Sequence, residues 1–204
     1  MSRGVLLILE GLDRSGKSTQ AKRLVEYINN SGRKAILIPF PERSDPFGQL
    51  IDKYLRNEID INEQALHLAF SANRWQMESK IRKHIAEGTD VVCDRYAFSG
   101  VAYSMAKGLD ERWAKQPDIG LPNPDVVLFF QVSAEVVRQR GGFGEERLER
   151  EDLQKRVSAI METLRKDNWK NLNADGDIET VHKSIIDIYQ NLDRSKSLSS
   201  ITEL

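Results

Sequence analysis

The stretch Gly11–Thr19 constrains this chain more than any other, because it matches the pattern G-x-x-x-x-G-K-[ST]. The fixed positions are filled by Gly11, Gly16, Lys17 and Ser18. An apolar run, Val5–Leu9, precedes the pattern, and apolar residues at helical spacing follow it. A strand, a turn that glycine permits and a helix N-terminus would together direct several backbone N–H groups toward one point. The sequence therefore predicts a phosphate-binding loop in a nucleotide-binding protein.

Length and composition indicate a single globular domain. The 204 residues are enough for one α/β core, and 40% hydrophobic with 30% charged residues is typical of a globular chain. The net charge of −1 argues against nucleic acid or a membrane surface as a general partner. We expect the domain to span residues 1–192 and the serine-rich tail, residues 193–204, to be frayed.

The sequence also carries information on the cellular compartment. The apolar run near the N-terminus has five residues and no signal-peptide cleavage site, and no run approaches the roughly 18–20 residues of a membrane span. The lone cysteine, Cys93, excludes an internal disulfide bond and fits a reducing compartment. Because Cys93 ends an apolar run, we expect a buried and inert thiol. The expected location is cytoplasmic, nuclear presence being compatible with it, and no membrane partner is expected.

Predicted strands alternate with predicted helices along the chain, which is typical of an open parallel sheet with helices on both faces. The strands are Val5–Glu10, Ala35–Ile38, Val91–Cys93, Val126–Val132 and Trp169–Leu172. The predicted fold class is therefore α/β, a P-loop NTPase-like three-layer α/β/α arrangement with a five-stranded parallel sheet. Ligands of such sheets bind beyond the carboxyl ends of the strands. Informative polar stretches follow four of the five strands, so we expect the site at that edge.

Three residues near these strand ends suit phosphoryl chemistry with a metal ion. Lys17 is expected to reach the β- and γ-phosphates of a nucleotide, and the Ser18 hydroxyl is expected to bind Mg²⁺. Asp94 follows an apolar strand directly, which is the position of a second carboxylate on the metal side of P-loop enzymes. The alternative for Asp94 is a helix N-cap.

Four arginines lie at strand ends or in glycine-rich loops, namely Arg14, Arg43, Arg95 and Arg140. Arginine binds phosphate through two donors and stays charged, so it suits the clamping of a transferring phosphoryl group. The alternative for each is an ordinary solvated surface side chain. Their shared placement favours the phosphate interpretation, and Arg140 is the weakest of the four cases.

The long predicted helix, Asn62–Glu87, presents a second candidate pair. Phe70 and Arg74 are four residues apart and therefore share one helix face. A ring beside a guanidinium could stack on a base and bind its edge. Equally, Phe70 could be a core residue whose edge Arg74 covers, and the residues alone leave both interpretations open.

The absence of certain motifs narrows the reaction class. No histidine, cysteine or carboxylate pair is arranged for covalent or general-base chemistry, and there is no Asn-Lys-x-Asp motif of a GTPase. Phosphoryl transfer to an existing phosphate needs no general base, because that acceptor, with a second pKa of about 6, is already largely ionised near neutral pH.

Six stretches resemble the thymidylate kinase family of the eukaryotic type, in that family's order. They are Gly11–Thr19, Phe40–Ser44, Phe70–Trp75, Asp94–Ala102, Gly120–Asp125 and Arg140–Gly144. The resemblance implies the reaction ATP + dTMP → ADP + dTDP with Mg²⁺, catalysed by a homodimer. It also implies a mobile lid at about residues 140–150.

The resemblance assigns a role to each matched position. Catalysis falls to Asp13, Arg14, Lys17, Asp94 and Arg95. The ATP site comprises Gly11, Leu12, Asp13, Arg14, Ser15, Gly16, Lys17, Ser18 and Thr19, with Arg140 and Ala174 near the adenine. The dTMP site comprises Asp13, Phe40, Arg43, Phe70, Arg74, Arg95, Ser99, Gly100 and Tyr103. The metal ligands are Ser18 and Asp94. Leu148 is a departure, because the family pattern usually has a tyrosine there.

The resemblance also implies that Asp13 lies by the sugar 3′-hydroxyl and that Tyr103 crowds the 2′ side of the sugar and so favours deoxyribose. Arg14 in the phosphate loop places the chain with the eukaryotic group. Two alternatives to a dTMP kinase are retained. A deoxynucleoside kinase would phosphorylate a bare 5′-hydroxyl and would need a general base, for which Glu42 is the candidate. A non-catalytic nucleotide-binding regulator would not need Lys17 and Arg95 intact.

Overall fold

The computed structural model describes residues 2–140 and 146–204. Within these ranges the strands are β1 (Leu6–Gly11), β2 (Ala35–Pro39), β3 (Asp90–Asp94), β4 (Val126–Gln131) and β5 (Trp169–Asn173). The helices are α1 (Lys17–Asn30), α2 (Pro46–Leu55), α3 (Glu63–Ala86), α4 (Ala97–Ala106), α5 (Glu111–Lys115), α6 (Ala134–Gln139), α7 (Glu151–Thr163) and α8 (Ile178–Gln190). A 3₁₀ turn, Gln116–Asp118, follows α5. Residues 141–145 of the predicted lid lie outside the described residues.

All five strands run parallel, in the order β2-β3-β1-β4-β5. The central strand β1 is completely buried along its length, as expected for a strand covered on both faces. The strand order reverses at β1, since the chain moves first toward β2 and later toward β5. Ligands of parallel sheets bind at such a switch point, beyond the carboxyl ends. The predicted fold class and all five predicted strands are confirmed, with no boundary shifted by more than one residue.

Helices pack on both faces of the sheet and divide the core into two main clusters. Leu6 and Ile8 of β1 point into the cluster that includes buried residues of α3, α4 and α7. Leu7 and Leu9 point to the opposite face, where α1 and α8 pack. This alternation follows from the period of two in a strand. Cys93 is fully buried and burial raises the pKa of its thiol, which confirms the predicted inert cysteine. None of the helices in the described part of the chain could cross a membrane.

The prediction of a frayed C-terminal tail is wrong. Ile201 and Leu204 are each only 3% exposed and belong to the same core cluster as Leu121. The backbone of Ile201 exchanges two hydrogen bonds, each 2.8 Å long, with Gly120 and Leu121. The serine-rich composition predicts disorder, but the apolar side chains of Ile201 and Leu204 are buried in the core together with Leu121, from a loop that is distant in sequence.

The tail also contributes to a buried carboxylate at the amino end of β3. Asp90 is fully buried and accepts hydrogen bonds from Arg194 at 2.7 Å, Tyr189 at 2.7 Å, Arg33 at 3.2 Å and the backbone N–H of Val5 at 2.9 Å. Burial by itself raises the pKa of Asp90. The hydrogen bonds from Arg194, Arg33, Tyr189 and Val5 outweigh burial, and the pKa lies below its ordinary value.

Replacement of this carboxylate should destabilise the fold in a pH-dependent way. We expect Asp90→Asn to lower the free energy of unfolding at pH 7 by about 1–3 kcal/mol, because the buried side chain at this position loses charge-assisted hydrogen bonds from two partly exposed arginines, Arg33 and Arg194. The folded pKa of Asp90 is depressed, so its stabilisation is complete above the unfolded pKa of about 3.9 and is lost as pH falls through the folded pKa. Urea denaturation should therefore give a constant difference between the two proteins above about pH 5 and a shrinking one below about pH 4. The exposed Asp187→Asn serves as the control; an equally constant difference for Asp90→Asn at low pH would contradict this account.

Candidate active site

The phosphate-binding loop leaves β1 at the centre of the sheet edge. Gly11 and Gly16 have φ angles of 144° and 94°, which side chains rarely adopt, and a Cβ on Gly11 would lie 2.7 Å from the carbonyl oxygen of Phe130. Gly16 is the N-cap of α1 and no side chain caps that helix among the described residues. The first N–H groups of α1 are therefore left to a ligand, and with the helix dipole they favour an anion.

Lys17 folds back onto this loop. It is 5% exposed, and its Nζ donates to the carbonyl oxygen of Leu12 at 2.5 Å and to Oγ of Ser15 at 3.1 Å. Burial lowers the pKa of Lys17 to about 8, and the positive charge of Arg95 acts in the same direction. The negative charge of a phosphate at this position would favour the charged ammonium.

The two predicted metal ligands meet at the same edge. β3 ends at Asp94, and Oγ of Ser18 donates a hydrogen bond to Oδ2 of this residue. The N-cap of α4 is Tyr96, so the alternative of Asp94 as a helix cap is wrong. No group of three or more histidines, cysteines and carboxylates lies close enough to hold a metal within residues 2–140 and 146–204. Mg²⁺ needs no such cluster, because it takes one or two protein oxygens together with water and phosphate oxygens. A hydroxyl beside a carboxylate therefore fits Mg²⁺.

Arg95 and Asp13 form an ion pair beside the loop. Nη1 of Arg95 donates to the carbonyl oxygen of Gly11 and to Oγ of Ser99, both at 3.0 Å, while Nη2 donates to Asp13. The hydroxyl of Tyr103 donates to the other oxygen of Asp13 at 2.9 Å. Burial tends to raise the pKa of Asp13, but the charges of Arg95 and Lys17 outweigh it and the pKa is lowered. Asp13 therefore stays ionised.

Two residues in this network were missed from the sequence. Nε2 of Gln154 lies 2.7 Å from Oδ2 of Asp13 and 2.8 Å from the hydroxyl of Tyr103. Glu10 is fully buried and accepts from the backbone N–H groups of Tyr96 and Ser99, so it caps the start of α4. The available signal was a polar residue at a core-facing position, since Gln154 shares the buried face of α7 and Glu10 directly follows the apolar run of a buried strand.

A cavity of about 600 Å³ opens beside the phosphate loop and contains the predicted base site. Its walls include Phe40, Phe70, Arg74, Ser99, Gly100 and Tyr103. Phe70 is half-buried: it lines the cavity and also packs against the core cluster that includes Ile51 and Leu66. Arg74 is 2% exposed and is held by Asp118, with 2.6 Å between Nη2 and Oδ2. Gly100 stands against this guanidinium, because a Cβ there would lie 2.6 Å from Nη2 of Arg74. Phe70 and Arg74 therefore both belong to the cavity wall.

All four predicted arginines line this cavity, and each has a partner within the protein. Arg43 forms ion pairs with Asp52 and, at 2.8 Å, with Glu146. Arg14 lies 3.5 Å from Glu149. Arg140 donates to the carbonyl oxygens of Arg14 at 2.8 Å and Ala174 at 2.7 Å, which joins the phosphate loop to the predicted adenine site.

Other predicted positions are distributed around the same space. Gly16, Ser18 and Thr19 line the cavity beside Lys17. Leu12 and Ser15 contribute the acceptors that hold Lys17. Leu148, the departure from the family pattern, lines the cavity and its carbonyl oxygen accepts from Gln154 at 3.1 Å. Glu42, the candidate general base, accepts from the backbone N–H of Ser44 at 3.0 Å and is not part of the cavity wall described above.

Comparison with known proteins gives one consistent result. A family model described as thymidylate kinase matches residues 9–185. The thymidylate kinase of Caenorhabditis elegans is 57% identical over 212 residues, which cover 99% of this chain and 97% of that protein. The human thymidylate kinase is 44% identical over 208 residues, with 99% and 97% covered. The structure of thymidylate kinase from Candida albicans superposes with a TM-score of 0.89 at 34% identity, covering 99% of this chain and 100% of that one.

The extent of these matches and the agreement in fold leave one assignment: this chain belongs to the thymidylate kinase family.

Proposed function

We propose that this chain transfers the γ-phosphoryl group of ATP to the phosphate of dTMP, giving ADP and dTDP. The observation that carries the proposal is that the phosphate-binding loop and a wall formed by Phe70 and Arg74 share one cavity of about 600 Å³, in which Arg95 bonds to both Gly11 and Ser99. Membership of the thymidylate kinase family supports the same conclusion.

The proposed ATP site lies on the loop side of the cavity. The free N–H groups at the start of α1, together with Lys17, suit the β- and γ-phosphates. Arg14 is proposed to stabilise charge on the transferring group. The contact of Arg140 with Ala174 supports an adenine site between the loop and the end of β5. The remaining members of this proposed site are Gly11, Leu12, Asp13, Ser15, Gly16, Ser18 and Thr19.

The proposed dTMP site lies on the opposite side. Arg43 and Arg95 are proposed to bind the acceptor phosphate, and both reach the cavity. Phe70 is proposed to stack on thymine and Arg74 to bind its edge, while Asp13 is proposed to lie by the 3′-hydroxyl. The other proposed contacts are made by Phe40, Ser99, Gly100 and Tyr103, which share the same wall.

The proposed catalysis is positioning with charge neutralisation. A phosphate acceptor is largely ionised near neutral pH, so no general base is required. Cationic groups on both sides of the transferring phosphoryl group stabilise its transition state, and the ordered cavity removes part of the entropic cost of bringing two substrates together.

Mg²⁺ is part of the proposal, with Ser18 and Asp94 as the residues that would hold it. The hydroxyl and carboxylate oxygens of this pair support that assignment. When bound, the ion supplies charge neutralisation for the transferring phosphate.

A homodimer and a cytoplasmic location complete the proposal. On α3, Leu68 and Trp75 are 47% and 40% exposed, and a spacing of seven residues places them on one helix face. Large apolar side chains exposed together support association of two copies. The lone buried Cys93 supports a reducing compartment.

The substrate is tested directly by ADP release in a coupled assay with MgATP. We expect turnover of dTMP and none of thymidine, because Glu42, the candidate general base for a bare 5′-hydroxyl, does not line the cavity. Turnover of thymidine without turnover of dTMP would favour the deoxynucleoside kinase alternative instead.

The role of Arg95 is tested by Arg95→Ala. We expect kcat to fall roughly 100- to 1,000-fold, since a donor directed at developing charge is lost. Arg165→Ala, which removes an exposed i,i+3 ion pair on the surface, should leave kcat unchanged and serves as the matched control. Unchanged ADP release by Arg95→Ala would remove this residue from the mechanism.

The metal assignment is tested by Asp94→Asn. We expect the Mg²⁺ concentration for half-maximal ADP release to rise roughly tenfold or more, because a negative ligand becomes neutral. Asp60→Asn removes a carboxylate whose side chain is 94% exposed and should not change the titration. Identical Mg²⁺ titrations for Asp94→Asn and wild type would refute the assignment.

A further inference from the structure

Asp118 is a fully buried carboxylate that has no place in the function proposed so far. It ends the 3₁₀ turn Gln116–Asp118 and faces Arg74. Nε of Arg74 donates to Oδ1 of Asp118 at 3.0 Å, and Nη2 donates to Oδ2 at 2.6 Å. Two parallel hydrogen bonds fix both the position and the plane of a guanidinium.

This pairing decides which donors of Arg74 remain for a ligand. Asp118 takes Nε and Nη2, whereas Nη1 has no hydrogen bond to any residue in the described part of the chain. Gly100 supports the guanidinium from one side, since an added Cβ would lie 2.9 Å from Nη1. Arg74 lines the cavity, so the donors that Asp118 leaves unused serve that space. A guanidinium donates hydrogen bonds and accepts none. A cavity wall formed by Arg74 therefore bonds to a carbonyl oxygen of a ligand and not to an amino group.

Asp118 and the turn that carries it are fixed by further hydrogen bonds. Oγ of Ser71 lies 2.8 Å from Oδ1 of Asp118, and the indole N–H of Trp75 donates to the carbonyl oxygen of Pro117 at 2.7 Å. The C-terminal tail secures the segment that follows, because Gly120 donates to the carbonyl oxygen of Ile201 at 2.8 Å. The turn is therefore fixed on both sides of Asp118.

We propose that Asp118 is a specificity-determining positioning residue, which selects a pyrimidine with a carbonyl at its C4 edge by fixing the donors of Arg74 in the cavity wall. This inference rests on the proposed function, since it requires a pyrimidine nucleotide in that cavity. A base with an amino group at C4 would place that N–H donor against an N–H donor of Arg74, and it is therefore rejected. Asp118 touches no substrate and acts through Arg74.

The test compares dTMP with 5-methyl-dCMP, which keeps the methyl group and changes the C4 edge. We measure kcat and KM for both nucleotides in wild type and Asp118→Asn. For dTMP we expect KM to rise roughly 10- to 100-fold while kcat changes by less than about threefold, because a binding contact is lost away from the reacting phosphate. For 5-methyl-dCMP we expect kcat/KM to stay constant or rise, so the ratio of the two specificity constants falls at least about tenfold.

Two controls separate positioning from loss of structure. Ile185→Ala removes packing on the opposite face of the sheet, where Ile185 is fully buried. It should lower the melting temperature and leave the dTMP to 5-methyl-dCMP ratio unchanged. Ser71→Ala removes another donor to Asp118 but keeps its pair with Arg74, and should change the ratio much less than Asp118→Asn.

A double variant covers the case in which Asp118→Asn does not fold. Arg74→Gln combined with Asp118→Asn replaces the charged pair by two amides and leaves no unpaired buried charge. If Asp118 acts through Arg74, the double variant and Arg74→Gln alone should show the same base ratio.

Each outcome has a separate meaning. If wild type does not phosphorylate dTMP, the proposed function fails. If wild type does so and Asp118→Asn lowers kcat/KM equally for both nucleotides, or if adding Asp118→Asn changes the ratio of Arg74→Gln, the proposed function stands and Asp118 is merely structural.

Discussion

The pairing of β1 with a strand on each side is the constraint on which the site depends. Leu9 pairs with Asp94 of β3, and Gly11 pairs with Phe130 of β4. Because parallel strands end together, these two registers bring the phosphate loop and the carboxylate of Asp94 to one edge of the sheet. The fully buried β1, with its apolar run Leu6–Leu9, fixes the register, since a shift of one residue would exchange the two faces of the core.

Cationic side chains of the cavity are held in place by partners within the protein. Arg95 is paired with Asp13 and Arg43 with Glu146, while Lys17 is satisfied by neutral oxygens of its own loop. In the proposed function, an anionic substrate would exchange partners with groups that are already in position and would not have to order loose side chains. Such preorganisation reduces the cost of binding and of charge development in the transition state.

Local patterns predicted most of this fold, and nonlocal contacts account for what they missed. The strands and the loop at Gly11–Thr19 follow from apolar runs and glycine spacing, which the chain carries in consecutive residues. The roles of Gln154 and Asp118 depend on partners 141 and 44 residues away, so no sequence window contains them. The prediction of a frayed tail is wrong for the same reason, because Ile201 bonds to the backbone of Gly120 and Leu121, about 80 residues away in sequence.

The buried polar groups around the cavity are better explained by function than by stability. A buried ion pair such as Arg74 with Asp118 recovers its desolvation cost only with good geometry, and apolar residues of similar volume often stabilise a core as well or better. Gly100 inside α4 adds a further cost of about 1 kcal/mol relative to alanine. Both features, the buried pair with Asp118 and the glycine at position 100, lower stability, and both restrict where the guanidinium of Arg74 can lie. The apolar strands and the helices on both faces stabilise the domain, and that stability permits one wall of the cavity to be built from groups that contribute little to it.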